Sequence, residues 1–335
     1  MQARARDLGL SNYTVLFDSL DAVAPPSDDD SDSDADTSPT SPDQIPLSKN
    51  GCLLLVTYSI FSSVLFDTAS PLPSLKLFPN LANLVTMFIG VDGPTTIGSE
   101  NEGTIDSILA IGLWLEHSDK FVSGPLDDKD YLQALQAFSL ISANTPSPSL
   151  RYCAHLLTSR VLHAHPDDRV RLTFITDTLE HCPYENLKAS AVSWLKEEII
   201  IARQRGSSDV FSSATAIASV QPFLYPDFRA LDQAELKDTW EELQSTFPYI
   251  MAVVNFTIFM AGDIYEDVVP PNSYNVCEEI FAGPLRRACT KGKVALQDNT
   301  WLSGLDEEES RRSICDLELL EERLVTMQER YTGHG

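Results

Sequence analysis

A chain of 335 residues with 49 acidic against 24 basic side chains carries a formal charge of −25, and at 43% hydrophobic it can bury one large core or two smaller ones. That balance disfavours binding through the phosphate backbone of nucleic acid, which needs clustered Lys and Arg, and it disfavours an anionic membrane surface for the same reason. Six cysteines, Cys52, Cys153, Cys182, Cys277, Cys289 and Cys315, are spaced too widely for a close dithiol pair and read as reduced intracellular thiols.

Residues 1–23 lack the continuous apolar run of a secretory leader and carry Asp7 and Asp18 early. They read as an N-terminal segment with helical potential, and the expected compartment is the cytoplasm, with the nucleus open. Residues 24–46 combine Pro25, Pro26, Pro39, Pro42 and Pro46 with Ser and Asp. Six aspartates fall within 27–36. With almost no apolar side chain to offset ordering entropy, this stretch reads as a disordered acidic linker. Ser27, Ser31 and Ser33 each precede an aspartate by three positions, and Ser38 and Ser41 precede proline, patterns that acidophilic and proline-directed kinases use.

From residue 47 to residue 331 the pattern is helical. Cys52 to Phe66 and Phe247 to Ala261 are apolar runs, but each is shorter than the roughly 20 residues a membrane span requires, and Thr57, Ser59 and Asn255 interrupt them. Both read as buried helices. Asp128 predicts a cap ahead of Tyr131, Leu132, Leu135 and Phe138. Ser147-Pro148 predicts the start of a helix carrying Leu150, Cys153, Ala154, Leu157 and Val161, which stops near His165 because Pro166 follows. Pro166 is expected to open the next helix, with Val170, Phe174, Ile175, Thr178 and Leu179 on its apolar face, and Cys182-Pro183 to end it. A third helix is expected from about Tyr184 to Arg203. It would bury Leu187, Ala191, Trp194, Leu195, Ile199 and Ala202 and turn Lys196, Glu197 and Glu198 partly outward.

Asp232 with Glu235 suggests a capping box before Leu236, Trp240 and Leu243. Leu317, Leu320, Leu324, Met327 and Tyr331 form a narrow seam on a final amphipathic helix. Two heptads are too few for a coiled coil, so docking on the preceding helices is expected. Strand signatures are weak throughout, and Asn50-Gly51 is not flanked by alternating β-branched residues. The fold is therefore expected to be all-α, a HEAT/armadillo-like solenoid of helical hairpins following the acidic linker.

Catalytic chemistry finds little support. Neither GxGxxG nor GxxxxGK[ST] occurs, GxSxG is absent, and there is no CxxC. His155, His163, His165 and His181 are the densest group of possible metal ligands, yet helical geometry spreads the first two along the axis and turns His163 and His165 to different faces. His163 and His165 are better placed to meet the dipole of a helix C-terminus. Cys182, beside His181 at a helix end, reads as a structural thiol, and Asp177, Glu180 and Glu185 as a solvated face. No catalytic, cofactor-binding or metal-binding residue is expected.

The stretch from Phe174 through Asp177, Leu179, Cys182, Pro183, Tyr184 and Glu185, continued by Trp194, Leu195, Lys196 and Ile199, resembles the core block of the glomulin and fungal YAP-binding protein family. Its members carry an Asp and a Leu before a Cys-Pro-aromatic-Glu turn, then a Trp-Leu-Lys-acidic-Ile run. Asn144 to Tyr152 and Phe247 to Met251 look similar to the family's fungal members, and the resemblance spans roughly Leu75 to Arg330. It implies a HEAT-like adaptor without catalytic activity. In that family, fungal members bind an AP-1-like bZIP transcription factor and assist its peroxide-dependent oxidation, or associate with kinetochores. The animal relative binds a RING subunit of cullin ubiquitin ligases. The implied partner is accordingly a protein, a bZIP factor or a RING/cullin component, with no direct nucleic acid or membrane contact and no cofactor. The residues of the block are expected to form a packing joint between two helices.

Overall fold

The computed structural model describes residues 49–67, 75–122, 126–206, 208–297 and 307–332. The segment 1–23 and the acidic linker 24–46 lie outside them. Every regular element among the described residues is helical, with one isolated bridge between Phe78 and Val122. The all-α expectation holds. The chain divides between Ala164 and His165 into two compact units.

In the first unit, α1 (Lys49–Phe66), α2 (Asn80–Phe88), α3 (Glu102–His117), α4 (Asp128–Asn144) and α5 (Pro148–Ala164) pack around α3, which touches α1, α2 and α5. Gly112 permits this close approach: a Cβ there would fall 2.6 Å from Leu157 and 3.0 Å from Leu81. α4 and α5, joined by three residues, form a helical hairpin. The cap of α4 is Asp127, whose carboxylate accepts from the Lys129 and Asp130 N–H groups; Asp128, the expected cap, is the first helical residue. Only a residue with extended backbone can turn its side chain back onto those amides, and Asp127 has that conformation. α5 begins at Pro148 and ends before His165, as the prolines dictate. Its last-turn carbonyls, Val161 and Leu162, are met by the buried Tyr131 hydroxyl at 3.1 and 3.2 Å.

The second unit contains α6 (Asp168–His181), α7 (Glu185–Arg205), α8 (Ala214–Leu224), α9 (Leu236–Met260), α10 (Ser273–Cys277), α11 (Gly283–Gln297) and α12 (Glu307–Thr332). α7 lies against both α6 and α9, α8 against α6, and α12 against α9 and α11. Pro166 does not open α6. Asp167 caps it by accepting from Arg169 N–H at 2.8 Å, which leaves the proline one position outside the cap. The expected capping box at Asp232 also fails. Asp232 ends a 3-10 turn, Arg229–Asp232, and its carboxylate is taken by Arg287 at 2.7 and 2.8 Å, so α9 starts at Leu236 without a side-chain cap.

Between α10 and α11 the helix passes through one π turn, Glu278–Ala282. Pro284 explains it. The Ile280 carbonyl would receive its helical bond from residue 284, which has no N–H, and it accepts instead from Phe228 N–H at 2.8 Å. The C-terminal seam docks as expected: Leu317, Leu320, Leu324 and Met327 are buried, and Tyr331 stacks on Tyr274 at 4.1 Å while its hydroxyl donates to Thr257 O.

The two apolar runs fare differently from one another. α1 and α9 are each long and apolar enough to cross a membrane by length and composition. α9 buries Tyr249, Ile250, Val253, Val254, Phe256 and Met260, whereas α1 is buried on one side only, through Cys52, Leu53, Val56 and Ile60, with Leu54 and Phe61 open to solvent. Tyr249 repeats in the second unit what Tyr131 does in the first, its hydroxyl donating to Phe223 O at 2.6 Å and Leu224 O at 3.2 Å at the end of α8. Tyr249→Phe leaves those buried carbonyls without that donor and is expected to lower stability by about 1–3 kcal/mol in urea denaturation.

Candidate functional site

The family-like block occupies α6, the turn 182–184 and the first half of α7. α6 and α7 pack against one another because each presents a stripe of apolar residues at helical spacing: Leu172, Ile175 and Leu179 on α6; Leu187, Ala191, Trp194, Leu195, Ile199 and Ala202 on α7. Phe174 and Trp194 meet with ring centroids 5.7 Å apart, and the indole is 1% exposed. Phe174, Leu179, Trp194, Leu195 and Ile199 are thus core residues. Asp177 and Pro183 are exposed, and Tyr184, Glu185 and Lys196 are half-buried. The block divides into an apolar inner half and a polar outer rim rather than converging on a pocket.

The turn itself is built by its sequence. Cys182 caps the end of α6 in extended conformation and passes its N–H to Thr178 O; Tyr184 holds the N-cap position of α7 without a side-chain bond. Glu185, in the first turn of α7 where a negative charge suits the helix dipole, pairs with Lys188 at 2.9 Å, and the Lys188 ammonium lies 5.7 Å from the centre of the Tyr249 ring. The joint therefore ties α9 to α7 as well as α7 to α6.

Cys182 Sγ points at Tyr184 O, 3.8 Å away. Burial pushes the thiol up, and the Tyr184 backbone and Lys188 oppose that only in part. A thiol held above its ordinary value is protonated at neutral pH and is a poor nucleophile. Cys277 and Cys289 are pushed by burial to about 12 each. Maleimide at neutral pH is accordingly expected to modify exposed Cys315 first, Cys153 and Cys182 more slowly, and Cys52, Cys277 and Cys289 only on unfolding, as read by peptide mass spectrometry. Cys182→Ser should move the melting temperature by no more than about 1–2 °C.

Sequence reasoning missed the centre of this joint. Glu198, expected partly outward, is 2% exposed, and Arg171 of α6 is buried opposite it, with Nε 3.0 Å from Glu198 Oε1 in an ion pair that is close but not aligned as a hydrogen bond. The guanidinium also donates through Nη1 to His165 O and lies 5.6 Å from the centre of the Phe211 ring. A signal was present. Arg171 precedes Ile175 and Leu179 by four and eight residues, and Glu198 follows Leu187, Ala191, Trp194 and Leu195 at helical spacing, so both charges fall on apolar stripes.

The histidines stay apart in role. His165 Nδ1 accepts from Asp167 N–H at 3.1 Å in the turn before α6, His163 lies in the last turn of α5, and His181 is exposed beside Glu180 at 3.6 Å. Among the described residues no group of three or more His, Cys, Asp or Glu side chains could hold a metal ion.

No curated protein matches this chain. The family described as "Uncharacterised protein family, YAP/Alf4/glomulin" matches it over residues 2–323, which takes in both helical units and the whole Cys-Pro joint. The chain belongs to the YAP/Alf4/glomulin family.

Proposed function

We propose that this protein is a non-catalytic adaptor that binds a bZIP-type transcription factor of the AP-1 class and supports its activation under oxidative stress, acting in the cytoplasm and nucleus. The observation that carries the reading is the family match across 2–323, which includes the Cys-Pro joint described above. Charge favours this partner. A chain at −25 is electrostatically matched to the continuous basic helices with which bZIP factors enter the major groove. A partner held this way binds faster at low salt, and the complex weakens as salt rises.

The test is purification of the tagged full chain before and after peroxide treatment, followed by mass spectrometry. Recovery of a bZIP factor, with capture falling as salt is raised, is the expected result. Recovery of a RING and cullin core instead would assign the chain to the glomulin-like regulators of ubiquitin ligases, and recovery of kinetochore proteins would assign it to chromosome segregation. Turnover of a small substrate by the purified chain would overturn the non-catalytic reading.

A further inference from the structure

The side of α1 turned away from its buried face is apolar. Leu54 is 55% exposed, Phe61 42% and Leu65 65%, with Val64 beside them, and Lys49 is the one charged residue in the helix. A solvated helix face ordinarily carries charge, and exposed apolar side chains in a contiguous row mark an interaction surface. Leu54, Phe61 and Leu65 lie seven and four residues apart, which places them on one stripe.

The chain just ahead of α1 holds a matching sequence. Tyr13, Leu16, Phe17, Leu20 and Val23 recur at helical spacing, with Asp18, Ser19 and Asp21 between them. At a rise of about 1.5 Å per residue, Tyr13 to Val23 makes a stripe of about 15 Å, and Leu54 to Leu65 one of about 16 Å. Residues 24–48 join the two, and at up to about 3.3 Å per residue that length of chain exceeds the stripe several-fold, so either direction of docking is within reach. The family match begins at residue 2, so this segment is family sequence and not an appended tail. Other stretches outside the described residues fit less well. Residues 68–74 bring Leu72 as their one large apolar side chain, 123–125 read Ser-Gly-Pro, and 298–306 are tied at both ends to α11 and α12 of the second unit.

We propose that residues 13–23 dock as an amphipathic helix on the Leu54, Phe61 and Leu65 stripe of α1. The test places a reporter on the stripe. Phe61→Cys is introduced into the full chain, and its maleimide labelling is followed at that position by peptide mass spectrometry, with and without Leu16→Asp and Leu20→Asp. Labelling about tenfold faster in the chain carrying the two aspartates is expected, the ratio for a segment docked nine-tenths of the time. Labelling of the buried Cys52 that stays slow in both chains shows that unit one has not unfolded. As a second arm, Leu20→Cys should be protected in the same way and released by Leu54→Asp. Equal labelling rates with and without the aspartates would overturn the proposal. So would protection that appears only as protein concentration rises, which assigns the stripe to a second copy, or only when phosphatidylcholine/phosphatidylserine vesicles are added, which assigns it to a lipid surface.

Discussion

Trp194→Ala is expected to lower the unfolding free energy by about 3–5 kcal/mol, the range for removing a fully buried large aromatic side chain whose cavity cannot collapse. The indole is the largest fully buried side chain described in the protein, sits against Phe174, and lies on the helix that contacts both α6 and α9. Three helices therefore have to move before the void closes. Trp194→Phe keeps a ring against Phe174 and should cost less. Urea denaturation followed by circular dichroism measures both. If the adaptor reading holds, partner capture by Trp194→Ala is lost in step with the folded fraction and returns at lower temperature. A loss below about 1 kcal/mol would mean that the joint repacks and is not the core of its unit.

How far the sequence carries depends on the range of the interaction that decides each feature. Helix limits set by proline are local: α5 begins at Pro148 and stops at Ala164 ahead of Pro166, and α6 stops at His181 ahead of Pro183, each within about two residues of the expected limit. Apolar faces are local too, because a stripe at helical spacing must be covered by something, and Leu187 through Ala202 were legible for that reason. Caps were less legible. Asp127-Asp128 and Asp167-Asp168 each offer two adjacent carboxylates, and only the backbone angle of the first of each pair decides which one turns back. At Asp232 the competitor was Arg287, distant in sequence, which no local pattern reveals. The π turn lay between these cases. Pro284 announces a missing donor, but its remedy, Phe228 N–H, comes from another part of the chain. Tyr131 and Tyr249 belong with the distant cases: each sits on a helical stripe as an ordinary core aromatic, and the carbonyls it serves are 25 to 31 residues away.

The buried pair carries the last expectation, and it turns on the asymmetry between breaking an ion pair and replacing it. Arg171→Met keeps an unbranched side chain able to pack on Phe211 but leaves Glu198 as a carboxylate inside the α6 and α7 joint, opposite a residue that no longer carries charge. Loss of one partner from a buried pair costs about 3–5 kcal/mol, mostly through the desolvated charge left behind. Glu198→Met is expected to cost less, because the guanidinium keeps its bond to His165 O and its place over Phe211. Arg171→Met combined with Glu198→Met removes both charges, so stability should return most of the way towards that of the parent, short of it by the donor lost from His165 O. A double-mutant cycle in urea reads the coupling directly. Additive single losses, with no recovery in the double variant, would mean that the two side chains are screened from one another and that the apolar stripes alone hold α6 to α7.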